Sequence, residues 1–377
     1  MVRKRIFSNL AFAALSVFAC GILIGHTSGA ASDDTDVATE AFNLRMAGKA
    51  DEAKGLLEKE LAENPENAAA HYELARTKFH MALGNPEKNL ADMLGDAQQS
   101  IEKALQNDPD NVIYPLFAGH ISFFQAYLQM MTGNESAADK HAAGACESFG
   151  AALKLKPDCY QAIVYLVEIN SMVKNRQEAI GYEKQLAKMA GAPDAKPEVK
   201  LYHAKARSIL FPDECDVDFW ENTVLKDCPG NPDVLEELGK AYLGEEKVDD
   251  AVKCFEQAVE IDPEKAYLFL DLSIYHTFRA MRARGNKELL QKSIKSGNAA
   301  ITRYIDSKPV QPMLAYALGV QSKYKSHSGD KESAQTLINR ANALDPHFSK
   351  ATGAPIPDLF IPPGKVSENH RYLARPF

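Results

Sequence analysis

The chain has 377 residues, 45% apolar and 25% charged, which excludes a disordered chain and fits a packed globular one. Its net charge is −8, and that sum already includes three basic residues at the N-terminus. Such an acidic balance argues against nucleic acid as a partner, which needs a positive face, and against adsorption to anionic lipid.

Residues 1–31 read as a targeting segment. Arg3, Lys4 and Arg5 precede an uncharged apolar run from Ile6 to Ile24. Small residues Ser28, Gly29 and Ala30 follow, then the polar Ser32, Asp33 and Asp34. This is the layout of a secretory signal. The run is also long enough to span a bilayer, so a retained anchor, with residues 6–24 as a membrane tether, is the alternative. A loose lipobox ending at Cys20 is a third reading, opposed by the bulky Phe18 and the apolar Gly21 to Ile24. Each reading puts the remainder outside the cytoplasm, in the periplasm or an equivalent space.

From residue 32 to 352 one turn recurs. It is centred on Pro65, Pro109, Pro157, Pro229, Pro263, Pro309 and Pro346, most of them beside Asp or Asn. Proline stops a helix and Asp or Asn can cap the next one. The prolines lie 44, 48, 72, 34, 46 and 37 residues apart, and the 72 holds two units, one degenerate around Tyr160 to Leu186. About eight helix pairs are predicted. Their second helices show the clearest period, as in Ala53 and Leu57, Ala97, Ile101 and Ala104, or Ala334, Ile338 and Ala341.

The plainest unit is Pro232 to Lys265. Leu235, Leu238, Gly239 and Tyr242 mark a first helix, Gly244 to Glu246 a turn, and Ala251, Phe255 and Ala258 a second helix that stops before Pro263. The small residues permit close helix approach and the aromatic rings fill the space beside them. This stretch resembles the tetratricopeptide (TPR) repeat in Leu238, Gly239, Tyr242, Ala251, Phe255, Ala258 and Pro263, with Leu235 where the family often has Trp. The resemblance implies an all-α superhelix of stacked helix pairs, and a scaffold that binds protein or peptide on its concave surface. Some TPR domains clamp C-terminal carboxylates with paired Lys and Asn. The matching positions here are Glu236 and Lys240, so that property does not carry over. Some exported TPR-like bacterial proteins are soluble components of solute transporters, so a ligand-handling accessory is the alternative function.

Three units carry extra residues between their helices: Met81–Leu94, Phe123–His141 and Phe278–Lys295. In the second, His120 to Met131 is apolar. It either lengthens a helix and packs, or offers Phe123, Phe124, Tyr127 and Met130 as an adaptable binding surface. In the third, Arg279, Arg282, Arg284 and Lys287, with Lys292, Lys295 and Arg303 beyond, form the one clear basic cluster. It is either a solvated face paired with acidic neighbours or a site for an acidic group.

Chemistry has little support. No H-E-x-x-H, G-x-S-x-G, P-loop or dinucleotide fingerprint occurs, so no enzyme, cofactor or metal is expected. Cys146, Cys159, Cys215, Cys228 and Cys254 follow the leader, an odd number without a C-x-x-C pair. Cys146 and Cys159, like Cys215 and Cys228, lie 13 residues apart across a predicted helix, about 20 Å, too far for a disulfide. Cys254, beside Phe255, reads as a small core residue. Residues 353–377 break the pattern. Gly353 to Gly364 holds Pro355, Pro357, Pro362 and Pro363, so it is expected to be extended and to lie along the last repeat as a cap, or else to dock a partner.

Overall fold

The computed structural model describes residues 33–84, 90–283, 285–349 and 357–363. The leader and most of the proline-rich tail lie outside them. The fold is an all-α solenoid of paired helices, as the repeat pattern requires. Among the described residues eight pairs run in chain order. They are α1 (Asp33–Met46) with α2 (Ala50–Glu63), α3 (Ala68–Leu83) with α4 (Leu90–Asn107), and α5 (Ile113–Met131) with α6 (Glu135–Leu155). Next come α7 (Tyr160–Met172) with α8 (Arg176–Ala190), and α9 (Pro197–Leu210) with a broken partner. That partner is α10 (Val217–Phe219), a π-turn over Trp220–Val224 and α11 (Leu225–Asp227). The last three pairs are α12 (Pro232–Gly244) with α13 (Val248–Ile261), α14 (Leu268–Arg282) with α15 (Lys287–Asp306), and α16 (Gln311–His327) with α17 (Lys331–Leu344). No helix among the described residues is long and apolar enough to cross a membrane.

One turn joins the two helices in most pairs. The chain passes through a left-handed residue just past the first helix: Gly48, Gly133, Lys174, Glu246, Gly285 and Gly329, with φ between 61° and 92°. The following N–H reaches back five residues, as in Lys49 to Leu44, Asn134 to Gln129, Asn175 to Asn170, Lys247 to Tyr242 and Asp330 to Lys325, at 2.7–3.0 Å. This is a Schellman closure, which satisfies carbonyls that a helix end leaves open. The turn expected at Gly244 to Glu246 forms there: α12 ends at Gly244, and Glu246 takes the left-handed place. Asn and Asp residues cap many helix starts. Asn67 accepts from Ala70 N–H and Asn231 from Asp233 and Val234 N–H.

In the second and third of the longer units the extra residues go into helix, while residues 85–89 of the first lie outside the described residues. The α5 and α6 helices have 19 and 21 residues and α15 has 20, against 13 and 14 in the plain pair α12–α13. Small residues set the closest contacts within pairs. A Cβ on Gly119 would lie 2.5 Å from the Phe149 ring, and one on Gly239 2.3 Å from the Phe255 ring.

The described residues form two compact units. One holds Gln98–Asp262. Its core alternates between facing helices: Ile163, Val164 and Val167 of α7 pack with Leu186 of α8 and Tyr202 of α9. Leu201 and Ala204 of α9 pack with Trp220, Val234, Leu238 and Cys254. Helix α7 is buried at every position from Gln161 to Val167, so it is covered on all sides.

The other unit joins the described residues up to Ala97 with those from Pro263 on. Here the first and last repeats pack on each other. Gly48 sits against the Leu344 carbonyl and Gly84 against the His347 carbonyl, so close that a Cβ would overlap the backbone. His80 Nε2 lies 2.9 Å from Asp345 Oδ2, with both side chains buried. In the tail, Pro357–Phe360 forms one 3₁₀ turn, where an extended form was expected. Proline at the first position of a turn loses no needed N–H, and its fixed φ suits helical geometry. Leu359, Phe360 and Ile361 are buried.

Candidate functional site

The two stretches singled out by sequence have different fates. In α5, Phe123 and Phe124 are only 2% and 3% exposed. The Phe123 ring meets Tyr165 edge-on at 5.8 Å, so these rings serve the core of their unit. Tyr127 and Met130 remain partly exposed. His120 to Ala126 are buried along the lengthened α5.

The basic cluster lies on the hairpin of α14 and α15. Arg282 and Lys287 are exposed, Arg279 is half-buried, and Arg284 falls outside the described residues. Among the described residues, Arg279, Arg282, Lys287, Lys292 and Lys295 stand without an acidic partner, unlike Lys49, Lys54 or Lys253 elsewhere. Met281 beside them is 71% exposed. Burial first, then the charges of Arg279 and Lys292, press the nearby His276 down to about 4. That imidazole is therefore neutral and adds no charge of its own. Arg303 is spoken for, stacked 3.9 Å over the Phe269 ring.

A second pattern emerges from helix register. The residue after the small or aliphatic contact residue of a first helix is polar in five units: Arg76 after Ala75, His120 after Gly119, Glu168 after Val167, Lys205 after Ala204 and Lys240 after Gly239. In α9 and α12 these side chains build a network. Lys240 Nζ bridges Glu236 and Glu237 at 2.8 and 2.9 Å, and the buried Lys205 lies 3.6 Å from Glu237. Burial pushes the Glu237 carboxyl up, but Lys240 and Lys205 outweigh it and hold it below its usual range. Burial lowers Lys205, and Glu237 and Glu236 offset part of that. Nearby, Glu183 accepts from His203 at 2.9 Å. Glu236 and Lys240 of α12 therefore pair with each other.

The polar group of α1 and α3 escaped sequence reasoning. Arg45, Glu73 and Arg76 have fully buried side chains. Glu73 Oε1 accepts from Arg45 Nε at 3.0 Å and from Arg45 Nη2 at 2.5 Å. Its other oxygen accepts from Arg76 Nη1 at 2.7 Å. Both guanidiniums lie over the Phe42 ring, at 5.4 and 5.6 Å, and Arg76 also over Tyr72 at 5.3 Å. The only sequence signal was the place of Arg76 after Ala75. Nothing around Arg45 marks it as buried.

Among the described residues no three His, Cys, Asp or Glu side chains group as metal ligands. The five cysteines described are free thiols. Burial raises Cys215 and Cys254 to about 11 and raises Cys146 and Cys228 as well, so these four are protonated and poor nucleophiles.

Comparison with known proteins agrees on the repeat. The tetratricopeptide repeat family model matches residues 232–265. No curated protein matches the sequence. Among solved structures, the chain is similar to a tetratricopeptide repeat protein from Parabacteroides merdae, with 14% identity and a TM-score of 0.42 over 82% of this chain and 98% of that one. It is similar to a thermophilic TPR protein of Thermus thermophilus at 16% identity and a TM-score of 0.38, covering 65% of this chain and 97% of that one. It is also similar to YrrB, a TPR protein with an unusual peptide-binding site, at 17% identity and a TM-score of 0.29, covering 56% and 95%.

Proposed function

We propose that this chain is an extracytoplasmic scaffold that binds a protein or peptide partner through the surface of its helix pairs, with the α14–α15 hairpin as one contact point. Stacked helix pairs present extended surfaces suited to that role. The observation that carries the hairpin assignment is the set of unpaired cations beside the exposed Met281, in a chain whose net charge is −8. An acidic segment of a partner would neutralise Arg279, Arg282 and Lys287, and an apolar residue would cover Met281. Tyr127 and Met130 are a second, smaller contact of this kind.

The test is to purify the exported form, identify what co-purifies by mass spectrometry, and repeat with R279E, R282E and K287E together. The partner is expected to be lost on charge reversal. Retention of the partner removes the hairpin from the site. Recovery of small molecules alone would overturn the scaffold reading and favour a ligand-handling accessory of a transporter. Export itself rests on residues 1–31. N-terminal sequencing of the extracytoplasmic chain is expected to begin shortly after Ala30, whereas an intact N-terminus in the membrane fraction would identify residues 6–24 as an anchor.

A further inference from the structure

Two buried guanidiniums around one carboxylate carry more N–H donors than that carboxylate can accept from, and a buried donor left without an acceptor is costly. Two of the acceptors at Arg45 and Arg76 come from far along the chain. Arg45 Nη1 donates to the carbonyl of Leu359, 314 residues away, at 2.5 Å. Arg76 Nη2 donates to the carbonyl of Ile361, 285 residues away, at 2.7 Å. These oxygens lie at the C-terminal end of the single turn Pro357–Phe360, where a short helix leaves carbonyls open and a cation is favoured. Leu359, Phe360 and Ile361 are buried there, and Phe360 meets the Phe348 ring edge-on at 5.9 Å. The segment is thus held by its backbone carbonyls and by an aliphatic–aromatic–aliphatic triad. Pro355, Pro357, Pro362 and Pro363 keep it out of any repeat helix.

We propose that Arg45, Glu73 and Arg76 form a peptide-binding cradle whose ligand is a short turn-forming segment with an aliphatic–Phe–aliphatic triad. Residues 357–363 are its occupant in cis, and a partner segment of the same chemistry displaces them. The proposal rests on the scaffold reading and names a second, separate contact. Backbone carbonyls give the affinity and the triad gives the selectivity, as in other modes of peptide recognition. A tethered occupant competes at an effective concentration of order millimolar, so the cradle is closed to weak ligands and opens to a strong one.

The test uses the full chain and a labelled peptide copying residues 355–364. The peptide is expected to bind a chain carrying F360K at least about tenfold more tightly than the unaltered chain, because the tethered copy no longer competes. Adding R76Q to the F360K chain is expected to remove that binding. Equal affinity for the unaltered and F360K chains overturns the proposal, as does binding that survives R76Q. Hydrogen exchange on the unaltered chain gives a reading that no variant can disturb. Millimolar peptide is expected to speed exchange at the amides of residues 359–361 while α1 and α3 stay slow. Unchanged exchange at 359–361 overturns the cradle. Protection appearing on other helices in that experiment would overturn the cradle yet leave the scaffold reading standing.

Discussion

Gly239 and Gly55 are both helical glycines and predict opposite outcomes. A Cβ on Gly239 would lie 2.3 Å from the Phe255 ring, which is 1% exposed and has nowhere to go. Gly239→Ala is expected to cost about 1–3 kcal/mol by overpacking, read as a lower urea midpoint. Gly55 is exposed in α2 with nothing within 4 Å of the added carbon. Gly55→Ala is expected to gain about 0.5–1 kcal/mol, because alanine loses less backbone freedom in a helix. His120 makes a different case. It packs against Tyr165 and Phe149, and burial presses it from 6.5 to about 3. In that window the unfolded chain takes up a proton and the folded chain does not. Stability should therefore fall as pH drops below about 6.5, with His120 contributing up to about 1.4 kcal/mol per pH unit. His120→Phe is expected to flatten the denaturation midpoint against pH by one proton, and an unchanged slope would show that His120 is not the group responsible.

The helix-to-helix turn is the element that repeats most faithfully. It needs a left-handed residue, and four of the six described cases use glycine. Lys174 (φ 65°) and Glu246 (φ 61°) take the same place at a steric cost of about 1 kcal/mol or more. Lys174→Gly and Glu246→Gly are each expected to raise the melting temperature, while Gly329→Ala (φ 88°) is expected to lower it. If Glu246→Gly lowers the melting temperature, the turn is held by something other than its backbone. The lengthened helices behave differently, since the residues added to α5 are largely paid out as buried core.

At the scale of the whole molecule, the first two repeats and the last share one compact unit, and a hydrogen bond with no exposed side ties α3 of the second repeat to the end of the last. Burial lowers His80, and its Nε2 faces the Asp345 carboxylate. Burial alone would raise Asp345, but the bond from His80 and the N–H groups of Phe348 and His347 hold it low. A neutral imidazole facing an ionised carboxylate must carry its proton on Nε2. Asp345 also accepts from His347 and Phe348 N–H, both at 2.9 Å. Asp345→Ala orphans the buried His80 donor and opens that turn, so a loss of about 2–4 kcal/mol is expected. Hydrogen exchange should then rise together in α3 and α17, and a response confined to α17 would show that the two ends do not open as one.

Helix pairs, their number and their exposed turns were legible in the sequence because they depend on local spacing. Small residues at Gly119 and Gly239, aromatic residues at Phe149 and Phe255, and the prolines between units act within a few tens of residues. The local signal erred where a turn is too short for a pattern, as at Pro357–Phe360. It could not separate a buried Phe123 from a partly exposed Tyr127 in one apolar run, since burial depends on what lies across the interface. Nor could it find the cradle. Arg45, Glu73 and Arg76 read as ordinary helix-surface charges, and their acceptors stand about three hundred residues away. Only tertiary structure brings those oxygens to the guanidiniums, because a buried charge is satisfied by neighbours in space and not by neighbours in sequence.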